Sequence, residues 1–188
     1  MGDPRKYAPR GYEVINSAGE RVRAFTERGQ AIGIDALSAA TIEGRVFTGG
    51  HLFMAVADTA FADLRIVTGA NETTAFALIS AGGDAIANLY KGTTYTAPGT
   101  SVPIYNNNEN SVITPTFTLF HTPTIDVLGA VNSPSALVFG GMKNQAFGGS
   151  VSPSPRILEP STEYLIRVQN IAGAAKNIEV ILKVIEAP

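Results

Sequence analysis

Toward the end of this chain, apolar and polar residues alternate with a period of two. Tyr164, Ile166 and Val168 fall on one side of a strand, with Leu165 and Arg167 on the other. After the small-residue turn Gly173-Ala174-Ala175, Ile178, Val180, Leu182 and Val184 line one face, with Glu179, Lys183 and Glu186 partly opposite. Successive side chains of a strand point to opposite faces, so this spacing selects β structure over helix. It predicts a closing antiparallel hairpin with one buried face.

Upstream the chain also reads as strand after strand. Strand-sized runs cover 45–57, 61–68, 73–80, 85–90, 101–105, 111–121 and 136–139, separated by turns such as Ala57-Asp58-Thr59, Gly69-Ala70-Asn71-Glu72 and Gly82-Gly83-Asp84. Glycine at 19 and proline at 11 supply the punctuation. Short strands at regular spacing, with no helix-length pattern between them, indicate a sandwich or barrel and argue against a βαβ fold. The reading is an all-β chain: a jelly-roll-like antiparallel β-sandwich over 45–188, preceded by an N-terminal arm, hairpin and linker over 1–44.

Within that leading part, residues 1–11 carry two prolines, two glycines and the cations Arg5, Lys6 and Arg10. Such a composition cannot bury a core and predicts an extended arm. Residues 12–28 read as a small β-hairpin, with Val22 alternating with Arg21 and Arg23 around the turn Asn16-Ser17-Ala18-Gly19. A lone hairpin is marginal in water, so this one is expected to lie against a partner surface. Residues 29–44 read as a linker with one short helical turn. Two loops stand out. Residues 106–110 are read as a flexible crossover. Residues 140–155 hold Met142 and Phe147 amid glycine, serine and proline, and are read as a subunit contact.

The chemistry expected of the chain is limited. Its 188 residues carry a formal net charge of −2, so no overall field favours nucleic acid or an anionic membrane, and neither is expected as a partner. There is no cysteine, which excludes disulfides and thiolate chemistry. The polar start, Met1 to Arg10, does not read as a secretory signal. His51 and His121 each sit in an apolar run without a second histidine or nearby carboxylate, and read as core or interface residues. No nucleophile elbow, phosphate loop or close carboxylate pair is present in the sequence. The chain is therefore expected to be non-enzymatic, with no catalytic residue, metal or cofactor.

Two segments carry a resemblance. "GYEVINSAGERVRAFTERGQAIGIDALSAATIEGRVFTGG" near the start and "ILEPSTEYLIRVQNIAGAAKNIEVILKVIEAP" at the end resemble small structural proteins of tailed bacteriophages, in particular head decoration (cement) proteins. The closing pattern is a Tyr-containing strand, an Asn near its end, a small-residue turn and a last strand ending near Glu. Here these are Tyr164, Asn170, Gly173 and Glu186. The resemblance implies a homotrimer made in the host bacterial cytoplasm that binds the major capsid protein on the exterior of the virion. Arg5, Lys6, Tyr7, Arg10, Arg21, Arg23 and Phe25 are then the expected capsid contacts. The alternative is a tail, baseplate or fibre component whose β-sandwich binds a host glycan, with Tyr90, Tyr95 and Tyr105 in place of the absent tryptophan.

Overall fold

The computed structural model describes residues 12–15, 21–24, 36–140, 150–151 and 155–187. The chain divides into two units, Met1–Ala39 and Ala40–Pro188. In the first, β1 (Tyr12–Ile15) and β2 (Arg21–Ala24) form an antiparallel pair with Val14 opposite Val22. Helix α1 (Ala36–Ile42) follows, longer than the single turn expected in the linker.

The second unit is a two-sheet sandwich. Its strands in chain order are β3 (Val46–Val56), β4 (Phe61–Val67), β5 (Thr73–Ala81), β6 (Ala85–Lys91), β7 (Thr94–Ala97), β8 (Thr100–Ser101) and β9 (Ile104–Asn106). Then come β10 (Thr118–His121), β11 (Thr124–Val127), β12 (Ala130–Val131), β13 (Ala136–Val138), β14 (Ser150–Val151), β15 (Arg156–Leu158), β16 (Glu163–Asn170) and β17 (Lys176–Glu186). The first sheet runs β14-β5-β17-β3-β9, with β15 also on β5. The second runs β12-β6-β16-β4-β10-β8, with β13 also on β6. Strands β7 and β11 pair separately.

From β3 to β6 each strand lies in the opposite sheet from the one before, and β16 and β17 do the same. This crossing from sheet to sheet gives the sandwich its jelly-roll character. It also corrects one expectation: β16 and β17 form no hairpin. Each is the centre of a different sheet, β16 between β4 and β6, β17 between β3 and β5. The alternation is the same whether a strand's buried face meets its own sheet's core side or a neighbour across the sandwich, so periodicity could not decide the pairing.

The core lies between the sheets. Tyr164, Ile166 and Val168 of β16 are buried there, as are Ile178, Val180, Leu182 and Val184 of β17. Each such side chain contributes about 1.5–3 kcal/mol by leaving water. The loop before β10 is anchored by Phe117, whose ring meets Phe47 edge-on at 6.1 Å. That edge-to-face geometry is the one aromatic quadrupoles favour. Because residues 107–117 form this anchored loop, the run expected as a strand from 111 begins only at Thr118.

Candidate interaction surfaces

The outer face of the second sheet is built from alternate residues of its two central strands. Phe61, Asp63 and Arg65 share a face of β4. Register places Asp63 opposite Arg167, and Arg65 opposite Leu165. The Arg167 guanidinium donates through two nitrogens to the two oxygens of Asp63, both at 2.8 Å, and lies 4.4 Å from the centre of the Phe61 ring. Arg65 donates to both oxygens of Glu163, at 2.9 and 3.3 Å, and sits 4.4 Å from the Tyr95 ring centre and 5.1 Å from that of Phe120. Planar, forked guanidinium groups suit both kinds of contact at once. The Asp63 hydrogen bonds raise Arg167 above its ordinary value. Burial pushes the Tyr95 phenol up to about 12, so it remains a donor, at 3.4 Å from the Tyr164 carbonyl. The result is a patch in which both cations are matched by carboxylates.

The fold also brings together two residues that read as separate in the sequence. His51 of β3 and His121 of β10 belong to different sheets, yet their rings stack at 3.6 Å and within 5° of parallel. Phe53 meets His51 edge-on at 4.7 Å, and His121 Nδ1 lies 3.1 Å from Thr122 Oγ1. The expectation that each histidine lacks a second one is thereby overturned. Burial, and then the neighbouring His121, holds His51 below its ordinary value. Among the described residues there is no cluster of three or more His, Asp or Glu arranged to hold a metal.

The outer face of the first sheet has a different character. Register aligns Leu52, Gly50 and Thr48 of β3 with Glu179, Ile181 and Lys183 of β17, and these with Ser80, Leu78 and Phe76 of β5. Leu52 is 47% exposed, Met54 66% and Leu78 38%, and Ile157 of the adjoining β15 is 69% exposed. These exposed apolar side chains are interspersed with Thr48, Glu179, Lys183 and Ser80 on the same face, with Ile157 six residues along β5 from the row of Leu52. Exposed apolar side chains are ordinary singly and mark interaction surfaces where they gather.

The four residues named for the resemblance in the closing segment hold the fold together. Tyr164 is buried and its hydroxyl accepts from the Glu159 N–H at 2.9 Å. Asn170 Nδ2 donates to the carbonyls of Val56 and Ala174, both at 2.8 Å, while its Oδ1 accepts from the Ala172 N–H. Gly173 adopts φ +72°, a conformation glycine takes without the cost other residues meet, and its N–H donates to Asp58 at 2.9 Å. Glu186, buried at the end of β17, accepts from the Thr116 N–H at 3.1 Å and from its hydroxyl at 2.5 Å. Together these bonds close both ends of the sandwich.

Of the residues expected at a capsid interface, Arg5, Lys6, Tyr7, Arg10 and Phe25 lie outside the described residues, as do Met142 and Phe147. Arg21 and Arg23 occupy alternate positions of β2, opposite Ile15 and Glu13. The 106–110 loop, expected as a flexible crossover, is instead tied down. Asn106 Nδ2 donates to the carbonyls of Gly44 and Ile113, and Asn108 Nδ2 to that of Ile42, at 2.8–3.0 Å. The Asn side chains also accept backbone N–H groups two residues on, the turn chemistry this residue favours. Sequence reasoning read the asparagines as turn formers but had no means of seeing what their amides would reach.

No family model and no curated protein matches this chain.

Proposed function

We propose that the chain is a non-enzymatic structural protein of a tailed-phage particle, a capsid decoration protein that stabilises the shell from outside. The observation that carries this reading is the set of exposed apolar side chains on the outer face of the first sheet, Leu52, Met54, Leu78 and Ile157. Such a face suits a chain that works in permanent contact with neighbours. The resemblance supports the same reading, because the residues that carry it in the closing segment are those that build the sandwich. In this account the β domain assembles as a homotrimer on the head exterior, and the leading unit, with Arg5, Lys6, Tyr7, Arg10, Arg21, Arg23 and Phe25, engages the major capsid protein. Stabilisation is mass action: a protein that binds the assembled lattice and not its opened form shifts the equilibrium toward the closed shell.

Removing residues 1–28 tests the assignment. The shortened chain is expected to keep its β-sheet circular dichroism and to lose binding to undecorated heads in a sedimentation assay. Retained binding would contradict the assignment of the contacts. The alternative, a tail, baseplate or fibre component that binds a host glycan, relies on tyrosines as the stacking platform. Tyr95 is engaged with Arg65, while Tyr105 is 68% exposed. Saturable glycan binding by the isolated protein would favour that reading.

A further inference from the structure

At the edge of the sandwich where β13 and β15 flank β6 and β5, a cleft of about 690 Å³ opens between the two sheets. Its floor is Ile66, Ile166 and Leu182, from the central strands of both sheets. Ala75, Ala77 and Ile79 form one wall, and Ala87 and Leu89 the other. Asn88, Ser133, Ser135 and Arg156 supply its polar lining. Alanine on facing walls leaves a space that longer side chains would fill, and protein interiors are otherwise close-packed. The volume lies in the range of small-molecule sites, which are apolar spaces with a few placed polar groups.

The lining also indicates what would occupy it. Packed sheets stand about 10 Å apart, so the slot between them admits an extended apolar chain and excludes a folded partner. Arg156 is the charged residue among the described lining residues, and no carboxylate accompanies it. One of its nitrogens donates to the Asn132 carbonyl at 3.1 Å, which fixes the guanidinium in place. A guanidinium so held is suited to a carboxylate. We propose that this cleft binds a single-chain anionic amphiphile, a fatty acid, with its tail between the sheets and its carboxylate at Arg156.

The test is calorimetric titration of the full chain with dodecanoate, and with dodecyltrimethylammonium as the cationic control. Saturable binding of dodecanoate is expected with Kd of about 1–100 μM, and weaker binding of the cation. Ala77→Phe, which fills one wall, is expected to weaken dodecanoate binding at least about tenfold; Arg156→Gln is expected to weaken it about fivefold and to abolish the preference for the anion. If Ala77→Phe fails to fold by circular dichroism, methyl NMR of the unaltered chain replaces it, and dodecanoate must then shift the Ile166 and Leu182 signals. No saturable binding overturns the proposal, and is the result expected if another part of the chain or a second copy fills the space. Binding unchanged by both substitutions, or methyl shifts confined to other residues, overturns it equally.

Discussion

Arg167 and Asp63 face each other across two central strands, with side chains only 18% and 12% exposed. At that burial each charge depends on the other, and removing one leaves its partner poorly solvated. Asp63→Asn is expected to cost about 2 kcal/mol, read as a lower urea midpoint at unchanged slope. An unchanged midpoint would mean that solvent already screens the pair. The histidine stack makes a second claim at this scale. The folded state holds His51 below its ordinary value of 6.5, so the unfolded chain takes up the proton more readily. The stability linked to His51 is therefore fully present above that ordinary value. It is lost as pH falls from there through the lowered folded value. Urea midpoints are expected to fall between about pH 7.5 and about pH 5.5, and to fall less in His121→Gln, which removes the like charge. Equal slopes in both proteins would show that the stacked pair is not the source. Neither pair was legible in the sequence: Asp63 and Arg167 are over a hundred positions apart, and so far as local pattern goes the two histidines are strangers.

Elements were more legible than their partners. Strand-sized runs bounded by turn residues located β3, β4, β5 and β6, and period-two alternation located β16 and β17, to within a residue or two, because each buries one face of a regular strand. It failed where burial was not periodic. Strands β7 and β11 carry mostly exposed residues and pair through irregular register, so no alternation marks them. The 107–117 loop holds the apolar Phe117 without being a strand, because its anchor is a single ring against Phe47 and its backbone is tied by side chains. Pairing was the least legible property, since the alternation of β16 and β17 fits a hairpin as well as two opposed sheets. The roles of Tyr164, Asn170, Gly173 and Glu186 were visible as a pattern but not as chemistry. Their hydrogen bonds reach loops that only the fold brings near.

At the scale of the whole molecule, β16 and β17, far along the sequence from their partners, occupy the centres of the two sheets. Thr48 pairs with Lys183, and Arg65 with Leu165. Neither sheet can close until the C-terminal strands arrive, and contacts so distant in sequence slow folding. Refolding of the chain is expected in the millisecond-to-second range of non-local β folds, and removal of residues 176–188 is expected to abolish cooperative unfolding altogether. A truncated chain that still unfolds in a single sharp transition would contradict the topology. The same architecture leaves two unlike outer faces: one carries matched charges on stacked rings, and the other exposed apolar side chains. That asymmetry underlies the proposal of a structural protein working against neighbours.

The proposal of a virion structural protein is tested most directly by the copy number of this chain in purified phage particles, measured by quantitative mass spectrometry. The account expects abundance comparable with that of the major capsid protein. A few copies per particle would move the chain to the tail, and absence from the particle would contradict the account.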